Sequence, residues 1–196
     1  TNIIHFYSKN NIGKLIWTCG LGKTLMSLFI SKKLNSKKIL IGVPSRNLLV
    51  QWYKYINNFY REDDILCISS NKNATTNETK IRDFMNKKTE FRLIITTYKS
   101  CYIINKLYED KIYFDFKIGD EAHHLVNIKR KAKQYINFHS IKSKKTLFMT
   151  ATEKVIIGDY TYTMNNLKIF GPIIDTKNIN WAIENKKITD YSIYIL

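Results

Sequence analysis

Trp17-Thr18-Cys19-Gly20-Leu21-Gly22-Lys23-Thr24 is the stretch whose reading decides the fold. It follows the short apolar run Leu15-Ile16 and opens an apolar segment, residues 24–34 (TLMSLFISKKL), of helical length. A strand, a glycine turn and a helix start in that order make a cradle for an anion. Gly20 and Gly22 carry no Cβ, so the backbone can aim successive N–H groups at a phosphate. The helix adds its free N–H groups and the positive end of its dipole. Thr18, Cys19, Gly20, Leu21 and Gly22 therefore form the candidate phosphate-binding loop. Lys23 supplies a mobile point charge for the β- and γ-phosphates, and the Thr24 hydroxyl is a ligand for Mg2+. The consensus G-x-x-x-x-G-K-[ST] asks for glycine where this chain has Trp17. The alternative is a plain glycine turn ahead of a buried helix, and a second motif has to decide.

Composition bounds the answer. The chain has 196 residues and 44% hydrophobic content, enough for one sizeable core and short of two. It begins at Thr1 and stops inside the apolar run SIYIL, which leads us to expect a fragment of a longer protein. The formal charge of +16, from 32 Lys+Arg against 16 Asp+Glu, favours polyanionic partners and nucleic acid first. A lysine-rich composition inherited from an A+T-biased genome is the other explanation. Cys19, Cys67 and Cys101 are widely spaced and odd in number, which suits a reducing, intracellular compartment rather than a disulfide framework. No secretory signal and no apolar stretch near eighteen residues occurs, so no membrane partner is expected.

Along the chain, apolar runs alternate with helical patterns. Strands are expected at 38–43, 65–68, 91–97, 113–119, 146–149 and 191–196. Helices are expected to about residue 60 after Pro44-Ser45, and over 78–87, 99–108, 129–138 and 180–184. On the first of these helices, Leu48, Leu49, Trp52, Ile56 and Phe59 fall on one face. Residues 69–78 read as a polar loop, and 1–11 as ragged, with an earlier helix ending there. Crossover units without hairpin turns imply a mostly parallel sheet covered on both faces, an α/β layer sandwich.

The second motif is Ile118-Gly119-Asp120-Glu121-Ala122-His123-His124, at the C-terminal end of an expected strand. Ligands of open parallel sheets bind outside the carboxyl ends of the strands, so this acidic pair and the glycine loop share one edge. There Asp120 can hold Mg2+ and Glu121 can polarise an attacking water. An exposed charged turn is the duller reading of an Asp-Glu pair alone.

Residues 114–123 (FDFKIGDEAH) resemble motif II of the superfamily 2 helicases and translocases, the DEAD/DEAH-like ATPases. WTCGLGKT is similar to that family's motif I, whose first glycine is frequently replaced. In the family's order, residues 43–52 (VPSRNLLVQW) resemble motif Ia, 95–100 (ITTYKS) motif Ib, and 149–152 (MTAT) motif III. Residues 188–191 are similar to the segment leaving this lobe toward a second one. The likeness spans about 12–196 and is closest to the translocase-like and large-DNA-virus branches. It implies a single RecA-like lobe over 1–196, with ATP and Mg2+ bound by the glycine loop, Lys23, Thr24 and Asp120, and with Glu121, Lys23 and Asp120 catalytic. It implies coupling of nucleotide state to a strand site through His123, Thr150, Ala151 and Thr152. It puts Pro44, Ser45, Arg46, Thr97, Tyr98 and Lys99 against a DNA or RNA backbone, in sequence-independent contacts.

Arg46 and Lys99 read equally well as solvated charges, the basic run 129–133 as a solvated face, and Trp52 as core. No Gln precedes Lys23, where the family often has one to read adenine, and a second lobe carrying arginine fingers has no candidate here. Weak ATPase activity is therefore the expectation for the lobe alone. A non-hydrolysing nucleotide-sensing scaffold is the alternative. A small-molecule kinase would leave motif III unexplained.

Overall fold

The computed structural model describes residues 3–70, 74–108, 113–126, 133–158 and 161–189. Within them, one parallel sheet runs in the order β3-β4-β2-β5-β6-β1-β7. Its strands are β1 (Ile12–Trp17), β2 (Lys38–Val43), β3 (Ile65–Ile68), β4 (Arg92–Thr97), β5 (Phe114–Asp120), β6 (Ser143–Thr150) and β7 (Ile173–Lys177). The helices are α1 (Ile3–Lys9), α2 (Lys23–Lys33), α3 (Arg46–Ile56), α4 (Glu78–Asn86), α5 (Cys101–Leu107), α6 (Lys133–Ser140), α7 (Leu167–Phe170) and α8 (Ile179–Glu184). This is the expected α/β architecture of a RecA-like lobe.

The central strands are continuous apolar runs because helices cover both faces of the sheet. Alternation along β2 shows the division: Ile39 and Ile41 join one core with Leu49, Trp52 and Ile56 of α3, while Leu40 joins the other with Ile94, Phe114 and Phe148. Gly42 interrupts that run for a steric reason. A Cβ there would stand 2.3 Å from the Phe138 ring and 2.7 Å from the Tyr98 ring.

Lysines of β5 and β6 cap helix ends, the first of them buried. Lys117 of β5 is 4% exposed and donates from Nζ to the carbonyls of Phe138 (3.0 Å) and Ile141 (2.5 Å), closing the C-terminus of α6. Lys145 of β6 donates to the carbonyl of Asn10 (3.0 Å) and to Asn11 Oδ1 (2.8 Å) beyond the end of α1.

Several expectations are corrected. α3 stops at Ile56, and Phe59 lies beyond it, 58% exposed rather than inward. The segment at 98–100 is a 3-10 turn capped by Thr97, with α5 starting only at Cys101. β7 was not foreseen, because an edge strand reading Ile173-Ile174-Asp175-Thr176-Lys177 has no apolar run to announce it. Residues 71–73 of the expected polar loop, 129–132 of the expected basic helix and the expected final strand lie outside the described residues.

Candidate functional site

The glycine turn forms the cradle its residue types imply. Gly20 (φ 82°) and Gly22 (φ 79°) both occupy the left-handed region, and Gly22 is the N-cap of α2. Trp17 belongs to β1 and not to the loop, so the missing consensus glycine costs the turn nothing. Lys23 Nζ donates to the carbonyls of Trp17 (2.9 Å) and Thr18 (3.3 Å), which holds the ammonium back over the loop mouth. Thr24 follows in the first turn of α2, and Cys19 is exposed at the rim.

Across the cavity stands the end of β5. A recess of about 530 Å3 is lined by Cys19, Gly20, Gly22, Lys23, Thr24, Leu25, Leu48, Gln51, Trp52, Tyr55, Asp120 and Glu121, so the loop and the acidic pair do share one edge. Asp120 is 5% exposed, and burial raises its pKa. The Trp52 indole N–H, which donates to Asp120 Oδ2 at 2.7 Å, opposes that rise, while the neighbouring Glu121 charge adds to it. Asp120 Oδ1 accepts from the Glu121 backbone N–H at 3.0 Å, and the Tyr98 hydroxyl donates to the Asp120 carbonyl at 2.5 Å. Trp52 and Tyr98 are thus positioning residues for Asp120. Residue reading assigned Trp52 to the core, which is correct for its ring. The missed signal was its N–H, since a buried indole usually finds a partner.

Glu121 has φ 48° and ψ 51°, a left-handed conformation that costs a non-glycine residue on the order of 1–3 kcal/mol. This turn swings its carboxylate out of line with Asp120 and to within 3.3 Å of His123 Nδ1. His123 Nδ1 also lies 2.9 Å from Thr150 Oγ1. Thr150 donates its hydroxyl proton to the Thr152 carbonyl (3.0 Å), so His123 is the donor in that contact. Burial, with Lys154 adding to it, lowers the His123 pKa and favours the neutral ring. Glu121, His123, Thr150 and Thr152 therefore form one chain from β5 to the end of β6, with Ala151 inside that turn.

A family model described as "Type III restriction enzyme, res subunit" matches residues 1–155. The chain belongs to this family. Its fold is that of the N-terminal RecA-like lobe of superfamily 2 helicases and translocases. The Type ISP restriction-modification enzyme LlaGI, solved with a DNA substrate mimic, superposes at a TM-score of 0.74 with 29% identity, over 94% of this chain and 19% of that one. The Pyrococcus furiosus Hef helicase domain shares the fold at 0.64 and 18% identity, over 91% and 38% of the two chains. The ATP-dependent helicase brm of Drosophila melanogaster is 26% identical over 155 residues, 76% of this chain and 9% of the fly protein. This chain therefore spans a small part of its larger relatives, and none of them supports a large-DNA-virus branch.

In this Type III restriction-family lobe the residues expected to face a nucleic-acid strand divide by exposure. Ser45 is exposed and caps α3 through Leu48 N–H (3.2 Å), Pro44 is half-buried beside it, Arg46 is exposed and bonds the Ser70 hydroxyl, and Lys99 is exposed. Tyr98, in contrast, is fully buried, because its ring fills the space over Gly42 and its hydroxyl serves Asp120. Thr97 is 6% exposed and bonds Ser100 Oγ (3.0 Å). Both side chains are therefore turned into the fold. They brace the turn that presents Lys99.

Proposed function

We propose that this lobe binds Mg2+-ATP between the Gly20–Thr24 loop and Asp120, and that it is one half of a nucleic-acid-dependent ATPase motor. The observation that carries the reading is the single recess bordered by Lys23 and Thr24 on one side and Asp120 and Glu121 on the other. The donor set suits Mg2+, which takes hard oxygen ligands: one carboxylate, one hydroxyl, phosphate oxygens and water. When bound, Mg2+ would neutralise charge on the β- and γ-phosphate oxygens. Lys23 exchanges its two carbonyl acceptors for phosphate oxygens. Glu121 accepts the proton of the attacking water as its oxygen bonds to the γ-phosphorus and the bond to the bridging oxygen breaks. His123 and Thr150 then report the change at Glu121 to the β6 turn. The strained backbone at Glu121 favours hydrolysis over an inert scaffold, since such strain persists where a reactive group must be aimed.

Pro44, Ser45, Arg46 and Lys99 offer hydroxyl, backbone and cationic contacts to phosphates, and the +16 charge supports a polyanionic partner. An arginine finger contributes on the order of 10³–10⁵ in rate to related phosphoryl transfers, so the lobe without a second one is a slow ATPase. The test is ATP turnover by the protein carrying this lobe together with its second lobe, with single-stranded and duplex DNA and RNA. Stimulation by at least one nucleic acid is expected. No stimulation by any of them would end the motor reading.

A further inference from the structure

α2 carries apolar side chains on two faces. Leu28 and Ile30 lie in the core beneath it. Leu25 and Phe29, one turn apart, lie outside that core and are 53% and 50% exposed. A helix that is apolar on both faces is normally covered on both. Phe59, beyond the end of α3, brings a third exposed apolar side chain to the same place. With Leu28, Tyr60 and Phe91, these residues wall a groove of about 420 Å3. It meets the nucleotide recess at Leu25, which borders both. The charges of the groove are of one sign. Lys32 and Lys37 line it and are exposed, and no carboxylate among the described residues lines it. Neither lysine has an acidic partner among those residues. Asp115 accepts only the backbone N–H of Lys37 (3.0 Å), and its ion pair is with Lys144 (2.8 Å).

We propose that this groove docks an amphipathic helix of a partner protein, one with apolar anchors along one face and Asp or Glu on its flanks. An exposed apolar patch with a polar rim is the usual mark of such a surface. That occupant fits the groove in three ways. Leu25, Phe29 and Lys33 stand at i, i+4 and i+8, a ridge of the kind that interdigitates with a second helix. The aromatic faces are already engaged: Tyr60 and Phe91 stack on each other at 4.6 Å and 3°, and the Lys33 ammonium lies 5.4 Å from the centre of the Phe29 ring. A nucleic-acid base needs an open ring face to stack on, whereas leucine and phenylalanine anchors need only a concave apolar wall. Lys32 and Lys37, finally, complement carboxylates. They disfavour a second copy of this chain, which would set the same lysines and another +16 charge against them. This docking face is independent of the nucleotide chemistry, although its occupant would lie along the helix that begins with Lys23 and Thr24.

The probe is a displayed library of helical peptides of about 18 residues, long enough to hold a helix. It is selected on the 196-residue chain and counter-selected on the Phe29→Glu, Phe59→Glu double variant. The peptides retained are expected to share an apolar stripe at i, i+4 and i+7 flanked by Asp or Glu. Their affinity should fall about tenfold or more in Phe29→Ala, and similarly in Lys32→Glu, Lys37→Glu. The same peptides with Lys in place of the flanking acids should bind that charge-reversed variant better than wild type, a gain that unfolding cannot produce. Affinity for an oligothymidylate strand should be unchanged by Phe29→Ala. A library in which nothing separates wild type from the double variant would overturn the proposal. So would retained peptides that are acidic without an apolar stripe, since these report only the net charge. An oligothymidylate affinity that falls tenfold in Phe29→Ala would give the groove to nucleic acid instead. Dimerisation of wild type that Phe29→Glu abolishes would give it to a second copy.

Discussion

Asp120 shows how single contacts tune the site. Its carboxylate must be ionised to hold Mg2+, yet burial raises its pKa; the Trp52 indole hydrogen bond pulls it back most, with the Glu121 N–H and the Lys23 charge acting in the same direction. Removing that hydrogen bond pushes the pKa further up, so a larger share of Asp120 is protonated at a given acidic pH. In Trp52→Phe, the acid limb of Mg2+-dependent ATP turnover should therefore move to higher pH. The loss is expected to be about tenfold on the acid side and to close as the pH rises, a pattern that a pH–rate profile would separate from simple damage to the fold. A uniform loss at every pH would count against this role. The residue types around Lys23 and Asp120 were legible in the sequence because charge and glycine content announce them. Trp52 and Tyr98 were not, because their polar atoms are small parts of large core rings and hydropathy registers only the ring.

The elements were legible where a long apolar run or a helical period marked them. β2 and β3 fall at the expected residues, whereas β7 was hidden by its half-exposed edge position. That strand depends on Gly171, which has φ 71° and whose Cβ would stand 2.2 Å from the Ile12 carbonyl oxygen. Gly171→Ala combines left-handed strain with a backbone clash, so it should destabilise the lobe by about 3 kcal/mol in denaturant unfolding. A shift within error would mean that β7 docks differently. Lys117 gives a second element-scale outcome. Burial lowers its pKa to about 7, against an ordinary value of 10.5. Between those values the unfolded chain binds more protons than the folded one, so this residue's contribution to stability grows as pH rises through that window. The melting temperature of wild type relative to Lys117→Met should therefore increase from pH 7 to pH 10. A constant difference would show that Lys117 keeps its proton when buried.

At the scale of the whole lobe, the parallel order brings β1, β5 and β6 side by side, and this gathers the glycine loop, the acidic pair and the Thr150 turn at one edge. Motif order in the sequence made that edge readable. The division by exposure of the residues expected to face a nucleic-acid strand was not, because it depends on which side of a turn each side chain leaves. Arg46 and Lys99 stay exposed, so Arg46→Ala and Lys99→Ala should each weaken binding of any DNA or RNA sequence alike. Each should also lower the log–log salt slope by about one. Sequence-dependent losses would point to base contacts instead. The central claim is that the acidic pair and the glycine loop act on one nucleotide. Its most direct measurement compares Glu121→Gln with wild type for both Mg2+-ATP binding and ATP turnover. Binding should be retained within a few-fold while turnover falls by about a hundredfold or more. Turnover equal to wild type would contradict the account.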